Sequence, residues 1–193
     1  SRLIGNLKHS FTNQSTFLSE LMQNARRAGA SEVRFEFHAP HTLVVIDNGH
    51  GIDNLQNLLT IAESGWDEVV CNEERPFGMG FMAALFASNK VKVSSHNKCL
   101  SFQRDDAIQL MPIQIEPCDF QHGTRIVLEG ITLSYETLKG SIKSYTRGFP
   151  IPVYFDDEMF SCERSWEYLI TQPQTSSFEA YAEVPGLGKA VFN

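Results

Sequence analysis

The sequence predicts an α/β fold on three observations: an amphipathic helix leading into strand, turn and strand, then a run of strand-like segments, then a second amphipathic helix. From Ser15 to Ala28, STFLSELMQNARRA places Phe17, Leu18, Leu21, Met22, Ala25 and Ala28 at three- and four-residue spacing. That spacing gathers them on one helix face, with Ser15 as a candidate cap and Gly29 as the expected terminator. EVRFEF then alternates Val33, Phe35 and Phe37 with charged residues, HAPH supplies a turn, and TLVVID is an apolar run suited to a buried strand.

NLQNLLTIA reads as a helix with Leu55, Leu58, Leu59 and Ala62 on one side, and ESGWDEVVCNEERP as a polar loop. FMAALFASN is a further short helix, after which KVKVSSH, CLSFQRD, MPIQIEP and TRIVLEG are expected as successive strands of a meander. YETLKGSIKSYTRGF is an amphipathic helix that Gly140 should interrupt, PVYFDDEMFSCER a hairpin around Asp156 and Asp157, and TQPQTSS a linker. FEAYAEVPGLGKAVFN has strand character. The expected organisation is one domain over residues 1–165, with a linker and the start of a following segment over 166–193.

With 193 residues, 42% of them apolar and 20% charged, the chain is long enough to bury a sizeable core. A formal charge of −7 argues against a broad basic face for nucleic acid or an anionic membrane. Cys71, Cys99, Cys118 and Cys162 form no C-x-x-C pair, so neither a zinc site nor a disulfide framework is signalled. His38 and His41 flank a proline-containing turn and read as an exposed loop rather than a metal pair. No apolar stretch approaches the roughly 20 residues of a membrane span and no leader is visible, so a cytoplasmic location is expected.

Four motifs carry possible chemistry. Gly78-Met79-Gly80-Phe81-Met82-Ala83 has the spacing of a dinucleotide fingerprint, but charged residues and Pro76 precede it where a strand is required. A ribose-binding acid is also absent where one belongs, about 20 residues on. PGLGKA lacks the earlier glycine and the hydroxyl residue of a phosphate loop and reads as a turn. Glycines entering a helix do offer backbone N–H groups to an anion such as phosphate; the alternative is a loop with no ligand.

DNGHGI, Asp47 to Ile52, sets a carboxylate at the end of a buried strand beside Gly49 and Gly51. Such an acid either accepts a hydrogen bond from an exocyclic amine such as adenine's, or closes an Asp-Asn-Gly turn on itself. Glu20, Asn24 and Ala28 recur at four-residue spacing on one helix face. They supply a carboxylate able to orient water and an amide oxygen able to ligate a hard cation, or simply a solvated polar face. Gly123-Thr124 opens a strand, where the hydroxyl joins a polar ligand site or caps a turn.

Taken in order, Glu20-x-x-x-Asn24-x-x-x-Ala28, Asp47-x-Gly49-x-Gly51, Gly78-x-Gly80 and Gly123-Thr124 resemble the GHKL ATPase superfamily over about residues 10 to 160. Its members include DNA gyrase B, the ninety-kilodalton heat-shock chaperones, histidine kinases and MutL-type repair proteins. The resemblance implies the Bergerat fold, a two-layer α/β sandwich whose mixed sheet carries helices on one face, with ATP among the helices. It implies that Asn24 ligates Mg2+, that Glu20 activates the attacking water, and that Asp47 receives the adenine amine with help from Thr124. Gly49, Gly51 and Ile52 would line the base pocket, with Ala28 closing the first motif. Residues 63 to 77 would form a lid, and amides around Gly78, Met79, Gly80 and Phe81 would hold the phosphates.

TIAESGWDE, RPFGMGFMAALFASNKVKV and SIKSYTRGFPIPVYF resemble the chaperones, whereas NARRAGASEV and the short connection from Asn24 to Asp47 resemble MutL or topoisomerase VI B. Arg27 stands where many members carry an acid, and a basic residue for the terminal phosphate comes from a following domain in several members. The implied function is an ATP-hydrolysing domain that drives conformational change in a larger protein, slow as a fragment, with a downstream domain and ATP-dependent dimerisation as partners. Neither membrane nor nucleic acid is expected as a partner. The alternative is a nucleotide-gated interaction module that does not hydrolyse ATP. A histidine kinase is disfavoured, because no helical segment precedes Ser15 and the strand-rich region after ASNKVKV is too long for that class.

Overall fold

A computed structural model of the chain describes residues 15–56, 58, 78–109, 111–160, 180–184 and 188–192. The elements are α1 (Thr16–Arg27), β1 (Val33–His38), β2 (Thr42–Asp47), α2 (Gly78–Ala87), β3 (Lys90–Ser95), β4 (Lys98–Gln103) and α3 (Arg104–Ile108). They continue as β5 (Ile115–Pro117), β6 (Thr124–Glu129), α4 (Tyr135–Tyr145), β7 (Val153–Phe155), β8 (Glu158–Phe160), β9 (Ala180–Val184) and β10 (Gly188–Phe192).

Among the described residues, eight strands form one sheet in the order β5-β4-β3-β6-β2-β1-β7-β8, and every pair but one is antiparallel. The exception is β1 with β7, which makes the sheet mixed. Residues facing each other across an antiparallel pair point to the same side, so the registers align an apolar row. Val33 and Phe35 of β1 continue through Val45 of β2, Ile126 and Leu128 of β6, Val91 and Val93 of β3, and Leu100 and Phe102 of β4, all buried.

The periodic face of α1 delivers Phe17, Leu18, Leu21, Met22 and Ala25 to this core, and α1 packs against both α2 and α4. Ser15 does not cap α1 with its side chain; its hydroxyl meets the Tyr145 hydroxyl at 3.0 Å and ties α1 to α4. Gly29, at φ +70°, releases the chain toward β1 as expected.

The structure departs from the sequence reading in several elements. CLSFQRD is not strand to its end: β4 stops at Gln103 and Arg104–Ile108 turn into α3, whose first-turn Asp105 and Asp106 complement the helix dipole. Only Ile115–Pro117 of MPIQIEP is strand, at the sheet edge, where β5 has a single partner. Gly140 does not interrupt α4. Its position faces open space, while Leu138 and Ile142 on the opposite face are fully buried and Ser134 caps the helix by accepting the Thr137 N–H at 3.2 Å.

The β7–β8 hairpin turns at Asp156 and Asp157 as expected. Asp156, at φ +51°, donates its N–H to the Phe35 carbonyl at 2.7 Å and accepts the Phe37 N–H on Oδ1 at 2.8 Å, extending the grip on β1. β9 and β10 pair as a separate antiparallel hairpin, in keeping with strand character there. The polar loop at 63–76, most of NLQNLLTIA and the TQPQTSS linker lie outside the described residues. Cys99 and Cys118, far apart in sequence, are free thiols in hydrogen-bond contact, and burial pushes the Cys99 thiol up. None of the described helices is long and apolar enough to cross a membrane.

Candidate functional site

The end of β2 and the start of β6 meet at one point of the sheet, where Asp47 and Thr124 are register partners. They continue the apolar row of the core, so polar groups stand where a buried face runs out. The Asp47 carboxylate accepts the Gly49 N–H at 2.9 Å and is also hydrogen-bonded by Thr124, which is buried. Burial pushes the Asp47 carboxyl above its usual range, and the hydrogen bonds from Gly49 and Thr124 oppose that push. The Asp-Asn-Gly turn does form, closed by one carboxylate oxygen, and the same Asp47 also lines a recess.

That recess is a shallow one that opens to solvent. Asn24 and Leu21 of α1 form one wall, Val45, Asp47, Thr124 and Ile126 of the sheet form the floor, and Ile52, Leu58 and Val93 complete it. A few polar groups in apolar walls is the usual composition of a small-molecule pocket.

The glycines are fixed by close approach. A Cβ at Gly49 would lie 2.7 Å from the Ala28 carbonyl oxygen, and that same carbonyl accepts the His50 N–H at 2.8 Å. The end of α1 is thereby joined to the loop after β2. Gly51, at φ +81°, would drive a Cβ to within 2.5 Å of Ser95 Oγ, and Gly123, at φ +75°, would place one on the Asp47 carbonyl oxygen. Only glycine fits such positions.

Asn24 is 5% exposed, and its Oδ1 lies 3.4 Å from Arg27 Nη1. Glu20 sits one helical turn earlier, half-buried. Gly78, Met79, Gly80 and Phe81 do not precede α2 but form its first turn. Among the described residues no group of three or more His, Cys, Asp or Glu forms a metal cage. A single amide oxygen in a recess does suit Mg2+ carried by phosphates, since that ion keeps waters and takes one or two protein oxygens.

The structure thus brings Asn24, Asp47, Ile52 and Thr124 into one recess and packs Ala28, Gly49 and Gly51 behind it. Sequence reasoning missed Ser95, fully buried, whose hydroxyl accepts the Ile52 N–H at 2.9 Å and donates to the Gly123 carbonyl at 2.8 Å. The signal for it was the alternation Val91, Val93, Ser95, which puts a hydroxyl where the strand pattern calls for an apolar side chain.

Residues 12–124 match the family model described as "Histidine kinase-, DNA gyrase B-, and HSP90-like ATPase". The chain belongs to this ATPase family. Among its relatives, this GHKL ATPase domain is 27% identical over 224 residues to the chaperone protein HtpG of Rickettsia typhi (strain ATCC VR-144 / Wilmington), covering 92% of this chain and 36% of that protein. HtpG of Rickettsia canadensis (strain McKiel) is 27% identical over 200 residues, covering 81% of this chain and 32% of that protein. The ATPase domain therefore spans about a third of the length of the curated relatives it matches. In fold it is similar to the Aquifex aeolicus MutL ATPase domain complexed with ADP, with a TM-score of 0.52 at 17% identity over 86% of this chain and 70% of that one. The mixed sheet with helices implied by the GHKL resemblance is the fold found.

Proposed function

We propose that this domain binds ATP with Mg2+ and hydrolyses it to drive conformational change in a larger, chaperone-like or MutL-like protein. The observation that carries the reading is the convergence of Asn24, Asp47, Ile52 and Thr124, from three motifs, on one recess. Asp47 takes the adenine amine with Thr124 beside it, Gly49, Gly51 and Ile52 shape the base pocket, and Ala28 anchors the loop to α1. Asn24 would hold Mg2+, and Glu20, one turn away, would orient the water that attacks the terminal phosphate. The amides of Gly78, Met79, Gly80 and Phe81 hold the phosphates. Bound Mg2+ supplies charge neutralisation on the phosphate oxygens, and the remaining catalysis is positioning and electrostatics.

The ATP-binding unit is residues 1–165, with 166–193 leading to a following segment. Residues 63 to 77, the proposed lid, lie outside the described residues. Slow hydrolysis by this domain alone is part of the proposal. The HtpG relatives, about three times as long, support a longer parent protein; ATP-dependent dimerisation and a cytoplasmic location complete the proposal.

Glu20→Ala tests the chemistry: turnover should fall about 10²- to 10⁴-fold while the ATP dissociation constant stays within about threefold. Unchanged turnover removes Glu20 as the base. One observation favours a second reading, a nucleotide-gated module without hydrolysis: the Arg27 guanidinium stands beside the very oxygen proposed for Mg2+. Single-turnover assays separate the two, since the module leaves ATP intact over hours.

A further inference from the structure

We infer that Ser95 is a positioning residue for the base end of the pocket, clasping its two glycine loops at the separation that lets Asp47 and Thr124 act on one ligand. The inference rests on the nucleotide reading above. Ser95 closes β3, next in the sheet to β6 and then β2, so Ser95, Thr124 and Asp47 stand at the same end of three neighbouring strands. Its buried hydroxyl works in both directions. It accepts from Ile52 in the loop after β2 and donates to Gly123 in the loop before β6. Ile52 and Thr124 both line the recess, so the separation of these loops is the width of the pocket.

The turn that follows β3 repeats the clasp. His96, at φ +50°, sets Nε2 3.6 Å from Asp53 Oδ1 on the first loop. The Asn97 N–H donates to the Phe120 carbonyl at 2.8 Å, and the Asn97 carbonyl accepts the Cys118 N–H at 2.9 Å, on the segment leading to Gly123. Ser95 is the buried member of this set. Without its hydroxyl, the Ile52 N–H and Gly123 carbonyl lose their shared partner, and a buried polar group without one is costly enough to open the loops to water. Glu20, Asn24 and the first turn of α2 lie on the helical layer, so the effect belongs to the base end.

The test is equilibrium binding of adenosine, ADP and ATP to the unsubstituted protein, Ser95→Ala and Ser95→Cys, with turnover measured at saturating ATP. Ser95→Ala should raise the dissociation constants of all three ligands by a common factor of about tenfold and change kcat by less than about twofold. Ser95→Cys keeps the volume with a weaker donor and acceptor, and should show the same common loss; it carries the comparison if Ser95→Ala does not fold. A lower melting temperature with unchanged affinities, or a loss confined to ATP, overturns the inference. If the unsubstituted protein binds none of the three ligands, the nucleotide reading itself falls and takes this one with it. Binding by that protein with unaltered binding by both variants sinks the Ser95 role alone.

Discussion

Asp47 sits under opposing demands: burial disfavours its charge, yet only the charged form accepts freely from an amine. Its raised pKa means that the folded protein binds a proton there more readily than the unfolded chain. Relative to an uncharged residue, the folded state is therefore favoured at low pH and loses that advantage as pH rises through the raised pKa. Asp47→Asn, which retains an oxygen for the Gly49 N–H, should hold or raise the thermal midpoint at pH 7 and lower nucleotide affinity at least about tenfold. Parallel melting curves and titrations at pH 5 and pH 8 check both signs, and the stability gain should shrink at the lower pH. Asp47 was legible in the sequence because its neighbours are two glycines after an apolar run. Ser95 was not, because the alternation Val91, Val93, Ser95 marks its side chain as inward but says nothing of its partners, Ile52 and Gly123, which are distant in the chain.

Periodicity located α1, α4, the β1–β2 pair and the β7–β8 hairpin, since one face of each is buried and the pattern records it. It failed where a local rule met tertiary context. Gly140 carries an intrinsic helix penalty that α4 absorbs through a sound cap and two fully buried side chains. Because nothing lies within 4 Å of a Cβ there and its φ is not positive, Gly140→Ala should stabilise the domain by about 0.5–1 kcal/mol, read as a higher urea midpoint with an unchanged slope. A lower midpoint would mean that α4 needs the glycine. The RD that ends CLSFQRD read as an extension of the strand because Phe102 and its neighbours alternate; Asp105 and Asp106 in the first turn of α3 favour the helix dipole, which alternation does not register.

At the scale of the molecule, the recess joins the helical layer to the sheet, so occupancy should stabilise the whole domain rather than one loop. Ligand at 100 times its dissociation constant contributes about 2.7 kcal/mol, which for a domain of this size raises the midpoint by about 5–10 °C. A melt with ADP, ATP or ATP plus Mg2+ reads this directly, and no shift with any of them would remove the nucleotide reading. The mixed sheet was foreseeable from the GHKL resemblance, but its order was not, since β1 finds β7 from the far end of the domain.

That last pairing bears on solubility. The family match ends at residue 124, yet β7 and β8 beyond it cover the outer edge of β1. Asp156 then holds Phe35 and Phe37, the Tyr135 ring packs on Phe37 and Phe155, and Lys139 pairs with Glu158. A chain cut before β7 would bare a row of backbone donors and acceptors on β1 beside Phe35, a template for strand addition between molecules. The β7–β8 hairpin therefore guards that edge of β1 against strand addition.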